Sequence, residues 1–151
     1  MQTPKLFTLL PEYICTPDGM AIDKNGNLIL SCPNYADKNL SGCIVKIDRS
    51  RKITKWFDVL PHPETGVARN MGIAFDKDWN LYICDNQGWS EEPDVLFKGR
   101  LLKVVFNEDN TVKETIVVAE QMEHPNGIRI LGDYMYVTQS YLSRSEERRV
   151  G

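Results

Sequence analysis

The sequence lacks the features that mark several protein classes. No apolar run approaches the roughly 18–20 residues that a membrane span needs, and the 18 lysines and arginines do not outnumber the 21 aspartates and glutamates. A non-specific nucleic-acid binder usually has a clear basic excess. With 42% hydrophobic residues and a net charge of −3, the composition is also unlike that of a disordered chain. These absences predict a folded domain without a membrane or nucleic-acid partner.

Cysteine and histidine are scarce and poorly spaced for metal or redox chemistry. The four cysteines, Cys15, Cys32, Cys43 and Cys84, form no C-x-x-C pair, which is the spacing typical of zinc and redox sites. We therefore expect buried small side chains without such chemistry. One of the two histidines, His62, lies between prolines and is expected in solvent. G-x-S-x-G, P-loop and dinucleotide-binding fingerprints are absent.

The N-terminal segment has only a short apolar stretch, residues 6–10, before a proline and a glutamate. A secretory signal needs a longer apolar region and small residues at a cleavage site. The sequence therefore predicts a cytoplasmic protein.

A repeated motif organises the chain. Three segments align around a glycine, and these glycines, Gly19, Gly72 and Gly127, are about 53 and 55 residues apart. The likeness continues between D-K-N-G-N-L at residues 23–28 and D-K-D-W-N-L at residues 76–81. Repeats of this length indicate a propeller or a solenoid.

Each complete repeat contains four short runs rich in Ile, Val, Tyr and Phe, separated by Gly, Pro, Asn and Asp. Such runs are typical of strands, and no 3.6-residue periodicity of helical length accompanies them. Four strands per repeat of about 50 residues is the pattern of a β-propeller blade. We predict an all-β fold with residues 19–23, 72–76 and 127–131 as its innermost strands.

The chain is too short for a closed ring, because 151 residues hold fewer than three repeats and a ring needs about 4–8 blades. We predict a partial β-propeller of about two and a half four-stranded blades. Residues 1–144 would be a fragment of one propeller domain. Residues 145–151 would be a non-native or disordered tail.

Polar residues recur on one predicted face of the ring. In an up-and-down blade, the junction before the first strand and the loop after the second strand lie on the same side. The residues at these places are Asp18, Asn70, Asp85, Asn86, Trp89, Asn126 and Gln139. Carboxylate and amide oxygens suit a hard divalent cation such as calcium or magnesium. Asp and Asn before Gly also form ordinary turns, so both interpretations stay open.

Two further strings resemble the start of a calcium-binding loop, D-x-N-x-N from Asp23 and D-x-D-x-N from Asp76. The helix-flanked calcium loop needs Gly at its sixth position and Glu at its twelfth, and neither string has them. We predict that both are hairpin turns between the first and second strands of a blade.

The segments P-D-G-M-A-I-D at residues 17–23 and H-P-N-G-I at residues 124–128 resemble the regucalcin/gluconolactonase family, also called senescence marker protein and sugar-lactone lactonases. The resemblance covers residues 5–143 and implies a six-bladed propeller with one divalent metal in its channel. Calcium is the first expectation, with zinc, magnesium and manganese as the other options. The resemblance implies metal ligation by Asp18 and Asn126 and a place near the substrate for Asn70. Further ligands would come from blades missing from this chain.

The reaction that the resemblance implies is hydrolysis of a sugar lactone. The metal would polarise the ester carbonyl and lower the pKa of a bound water, and an acidic side chain would act as general base. Asp85 is the candidate base. Asn86, Trp89 and Gln139 are candidates for binding the substrate, with the tryptophan able to stack on a sugar ring. We expect the fragment to be inactive by itself.

Two alternatives remain, because fold does not decide function. NHL-type propellers use the same face to bind a ligand or a protein without catalysis. A strictosidine-synthase-like relative would work without a metal. A metal held in the channel would separate a lactonase from both.

Overall fold

The computed structural model describes residues 3–88 and 95–140 and the backbone of residues 146–149. These residues form eleven strands and no α-helix, which confirms the all-β prediction: β1 (Met20–Ile22), β2 (Leu28–Cys32), β3 (Cys43–Ile47), β4 (Ile53–Asp58), β5 (Asn70–Phe75), β6 (Leu81–Asp85), β7 (Gly99–Phe106), β8 (Val112–Met122), β9 (Pro125–Leu131), β10 (Tyr134–Gln139) and β11 (Glu146–Arg149). Within these residues, no helix is long and apolar enough to cross a membrane.

The strands form three antiparallel sheets in sequence order. β1 to β4 make the first sheet, β5 to β8 the second, and β9 to β11 the described part of the third. Equivalent pairs recur in the first two sheets, with Met20 opposite Leu30 and Ile73 opposite Ile83. The sheets are three successive blades of a partial propeller, here numbered 1 to 3. Their innermost strands are β1, β5 and β9, as the repeat predicts.

The last strand lies where the sequence shows no strand pattern. β11 pairs with β10 from Tyr134 opposite Arg149 to Val137 opposite Glu146. An exposed strand edge offers unpaired backbone groups to any segment that reaches it, whatever its side chains. The pairing gives residues 146–149 a place in this sheet, and the non-native or disordered character of residues 145–151 stays a prediction.

Apolar side chains fill the space between neighbouring blades. One core joins blades 1 and 2 and includes Ile29, Ile44 and Leu102. A second core joins blades 2 and 3 and includes Cys84 and Met135. Because each blade is covered by the next, β6 is buried along its whole length. Burying one such side chain contributes about 1.5–3 kcal/mol, so each blade depends on its neighbour for stability.

The repeated glycines lie where the innermost strands approach one another. A Cβ atom built on Gly19 would lie 2.5 Å from the carbonyl oxygen of Met71, and one on Gly72 would lie 2.3 Å from that of Asn126. Only glycine permits such close backbone contact. The motif that revealed the repeat is therefore the contact that sets the spacing of the blades.

The two aspartate strings form identical hairpin turns. The carboxylate of Asp23 accepts hydrogen bonds from the backbone of Asn25 and Asn27 (2.9 Å each) and from the Asn27 side chain (2.8 Å). The carboxylate of Asp76 accepts the same three bonds from residues 78 and 80. The hairpin prediction is confirmed, since both carboxylates hold their own turns.

Candidate functional site

The loop after the second strand of a blade and the connection into the next blade lie on the same side of the sheets. The loop after β2 and the loop before β5 are joined by a hydrogen bond from the Gly42 N–H to the Ala68 carbonyl (2.8 Å). The loop after β6 joins them through the Asn86 N–H, which donates to the Arg69 carbonyl (2.9 Å). We call this side the loop face. It carries the candidate residues that lie within the described part of the chain.

Asp85 is fully buried at the end of β6 and is saturated with donors. Its carboxylate accepts hydrogen bonds from the Arg69 N–H (2.8 Å) and the Gln87 side chain (2.7 Å). Arg100, buried opposite it on β7, donates from Nε (3.0 Å) and from Nη2. A general base needs a free lone pair facing the reacting proton. This geometry is that of a structural ion pair, and the catalytic role of Asp85 stays a prediction without geometric support.

A second buried arginine organises the loop face. The guanidinium of Arg69 donates to the carbonyls of Pro33 (2.9 Å) and Leu40 (2.6 Å), which fixes the loop between β2 and β3. It also lies 5.5 Å from the ring centre of Tyr35. Sequence reasoning missed both arginines. The available signal for Arg100 was its place one residue after Gly99, in register with the end of β6.

Asn70 joins blade 1 to blade 2. Its side-chain amide donates to the hydroxyl of Ser31 (2.7 Å) and to the carbonyl of Cys43 (3.1 Å), and the Ser31 hydroxyl donates back to the Asn70 carbonyl (2.9 Å). The side chain is completely buried. These contacts give Asn70 a structural position between sheets, and its proposed place beside a substrate stays a prediction.

The remaining substrate-binding candidates differ in position. Asn86 is buried and its side chain links the Tyr35 hydroxyl (3.0 Å) to the Pro125 carbonyl (3.4 Å) of blade 3. Gln139 lies on β10 at the place that Asp85 holds on β6, and it accepts a bond from the Glu123 N–H (2.8 Å). Trp89 lies outside the described residues.

Asp18 and Asn126 directly precede the repeated glycines of blades 1 and 3. Asp18 is exposed, and its N–H donates to the Ser31 carbonyl (2.9 Å). Partial burial raises the pKa of its carboxyl, and among the described residues no cation pairs with it. Asn126 is half-buried, and its amide donates to the Ser140 hydroxyl (3.3 Å), which leaves its side-chain oxygen available. The starts of the three inner strands lie side by side through the glycine contacts.

These two residues fit part of a calcium site. Calcium takes about 6–8 oxygen ligands from carboxylates, carbonyls, amides and water, and Asp18 and Asn126 would supply one carboxylate and one amide. Within residues 3–88 and 95–140, no group of three His, Cys, Asp or Glu side chains could hold a metal. The donor chemistry is suitable, and the number of protein ligands in the described region is too small for a complete shell.

His62 corrects an expectation. It is buried rather than solvated, and its Nδ1 accepts a hydrogen bond from the Glu64 N–H (3.2 Å). Burial lowers the pKa of the imidazole, and the nearby Arg100 guanidinium lowers it further. The loop packs inward because it covers the Asp85–Arg100 pair, where Arg100 also donates to the Leu60 carbonyl (2.9 Å).

Comparisons with known proteins identify the fold and no family. No protein-family model matches the chain, and no curated protein does. Among solved structures, the chain is similar to a structural-genomics target provisionally assigned as a gluconolactonase, with 14% identity and a TM-score of 0.53 over 80% of this chain. It is also similar to a catalytically inactive variant of virginiamycin B lyase from Staphylococcus aureus, solved with quinupristin, with 15% identity and a TM-score of 0.56 over 93% of this chain.

The chain spans 40% and 43% of the length of these two proteins. At such low identity the likeness supports the propeller fold alone. One neighbour is assigned as a lactonase and the other is a lyase, so the fold is compatible with more than one reaction.

Proposed function

We propose that this chain is part of a calcium-dependent propeller enzyme that hydrolyses a sugar lactone. The observation that carries the proposal is the arrangement of Asp18 and Asn126 at equivalent positions, each directly before a glycine that packs the inner strands together. The resulting oxygen donors lie on the loop face, where a channel would open. The gluconolactonase assignment of one structural neighbour agrees with this substrate class.

The electrostatics of Asp18 favour a cation. Desolvation penalises its charged form, and no described basic side chain compensates for it. A bound divalent ion would stabilise the charged form of Asp18. It would also supply Lewis-acid activation of an ester carbonyl or water. Asp18 and Asn126 would hold the ion together with ligands from outside the described residues.

Asp85 would serve as the general base of this reaction. For Asp85 to accept a proton, it would have to release a hydrogen bond from Arg100 or Gln87. This cost favours a second candidate function, a non-catalytic propeller that binds a ligand on the loop face. In that case Asp85, Asn70 and Asn86 would serve only to fix the loops.

A calcium titration followed by NMR tests the metal site in this chain. We expect saturable, weak chemical-shift changes at Asp18 and Asn126, lost in Asp18→Asn and retained in the matched control Asp78→Asn, which removes an exposed charge from the opposite face. Shifts confined to the hairpin aspartates would refute the site.

The reaction is tested in a protein that carries the complete ring. Aldonolactone hydrolysis should require calcium, stop with a chelator, and fall at least tenfold in Asn126→Ala. Calcium binding at Asp18 without any hydrolysis would support the binding-propeller alternative.

A further inference from the structure

Two buried cysteines face each other across blade 1. Cys32 ends β2, Cys43 begins β3, and the two residues are direct partners in the antiparallel register. Both side chains are buried. The sequence hides this pairing, because ten residues of loop separate the two positions.

The register brings the two side chains near the separation that a disulfide requires. Directly opposed residues of an antiparallel pair have Cβ atoms about 4.5–5.5 Å apart, and a disulfide needs about 3.5–4.5 Å. In the structure the Cys32 thiol donates to the Leu30 carbonyl of its own strand (3.7 Å), and the two thiols are close enough to shift each other's pKa. Disulfide formation therefore requires the Cys32 side chain to leave Leu30 and turn towards Cys43.

A cavity gives small molecules access to the pair. It has a volume of about 210 Å³ and lies beside the loop between β2 and β3, with Cys43, Asn34 and Lys55 in its wall. Cys43 therefore lines this cavity, whereas Cys32 does not. The cavity admits a molecule of the size of hydrogen peroxide.

The surroundings distinguish the two sulfurs. The neighbouring Cys32 thiol lowers the pKa of the Cys43 thiol and the Lys55 ammonium acts in the same direction, while burial and the Asp58 carboxylate oppose them. The same thiol–thiol interaction and burial raise the pKa of Cys32. The Asn34 amide also points to the Cys43 sulfur (3.9 Å). Since the thiolate is the nucleophile, Cys43 is the sulfur that reacts first.

We propose that Cys32 and Cys43 form an oxidisable dithiol that hydrogen peroxide converts to a cross-strand disulfide. The Cys43 thiolate attacks one peroxide oxygen, the O–O bond breaks, and the hydroxide released takes up a proton to become water, which leaves Cys43 as a sulfenic acid. The Cys32 sulfur then attacks the Cys43 sulfur, and the sulfenic hydroxyl departs with the Cys32 proton as a second water. Two thiols are oxidised and one peroxide is reduced.

The other cysteines provide internal controls. Cys84 is equally buried, on β6, and burial raises the pKa of its thiol. Cys15 is exposed, and its N–H donates to the Asn34 side chain (3.3 Å). Neither has a cysteine opposite it in a sheet. The proposal predicts that both remain outside the disulfide.

Trypsin separates the partners, because Lys38 lies between them. Treatment of the folded 151-residue chain with peroxide should remove two of its four titratable thiols and produce a disulfide between the peptides of residues 25–38 and 39–46. The link should be lost on reduction and unchanged in Cys15→Ala and Cys84→Ala. This experiment needs no variant of the dithiol itself and therefore does not depend on how such a variant folds.

The order of attack is tested with a sulfenic-acid reagent. In Cys32→Ala, dimedone should label Cys43, whereas in Cys43→Ala labelling of Cys32 should be at least tenfold lower. Oxidation confined to Cys15, a disulfide that includes Cys15, or a link between Cys32 and Cys43 that forms only in urea would overturn the proposal.

Discussion

Blades 1 and 2 place different chemistry at one position of the same backbone. In blade 1 the end of the second strand and the start of the third hold Cys32 opposite Cys43, whereas in blade 2 the equivalent places hold Asp85 opposite Arg100. Both pairs are buried beneath the loop face. One blade therefore contains a compact dithiol where the next contains two charges.

The difference shows which part of a blade the repeat determines. The register of the first three strands, the glycine contacts and the aspartate hairpins correspond in both blades, while the buried cross-strand pair does not. A buried charge needs its partner and additional hydrogen bonds, so blade 2 has Gln87, Leu60 and Arg69 arranged around its pair. A thiol pair needs much less support, and it retains chemical reactivity.

The largest expected effect comes from breaking the ion pair. Asp85→Ala leaves Arg100 buried without its carboxylate, and we expect it to lower the free energy of unfolding by about 3–5 kcal/mol. Cys43→Ala should cost only about 1 kcal/mol, near the centre of the range for point mutations. Urea unfolding measures both, with Asp78→Ala as an exposed control. Equal losses at the two positions would contradict the comparison.

Alanine substitution of the repeated glycines should cost different amounts of stability in different blades. Gly72→Ala forces a Cβ against the Asn126 carbonyl, and overpacking of this kind costs about 1–3 kcal/mol. Gly127→Ala meets only the Thr138 side chain, with the hydroxyl at 3.0 Å, and a side chain can rotate away. We expect a smaller loss for Gly127→Ala in the same unfolding assay. The opposite ranking would show that backbone contact does not set blade spacing.

His62 should make stability depend on pH. Because burial and Arg100 lower its pKa in the folded protein, the unfolded chain binds more protons below the ordinary value of about 6.5. Above that pH, His62 is neutral in both states and does not reduce stability. As the pH falls below it, the unfolded chain takes up a proton that folded His62 resists, and the folded protein loses stability. The difference between the wild type and His62→Gln, measured by unfolding from pH 8 to about 5, isolates this effect. A constant difference would argue against it.

The smallest effect is expected at Asp18. Its raised pKa means that the folded state disfavours the carboxylate, so Asp18→Asn should increase stability slightly at neutral pH. The gain should fade as the pH falls towards the ordinary carboxyl value of 3.8. Added calcium should also reduce it, by stabilising the wild type alone. Loss of stability in Asp18→Asn at neutral pH would indicate that the carboxylate holds the fold.

Sequence reasoning was most successful where the chemistry is local. The hairpin turns follow from Asp23 and Asp76 bonding to residues two and four positions away, and the inner strands follow from the spacing of the repeated glycines. Both signals lie within one short segment. They allowed prediction of the blade order and of the face that carries the loops.

The sequence carries the least information where a residue's surroundings depend on a distant partner. Asn70 is of a residue type that is common in binding sites. In the structure, however, its amide donates to Ser31 and Cys43, which belong to another blade. Asp85 meets Arg100 only through the pairing of β6 with β7, and the only sequence signal for that pairing is the position of Arg100 directly after Gly99. Pairing across a sheet is set by register, and a shift of one residue would have changed every partner.

The glycine contacts have a consequence for how this protein can vary. Neighbouring blades touch at the centre through peptide groups, as at Gly72 and Asn126, so backbone contact sets the spacing of the main chain where the inner strands begin. Substitutions on outer strands such as β4 can then accumulate without displacing these backbone positions. Loop residues can thus change while the centre of the scaffold keeps constant dimensions.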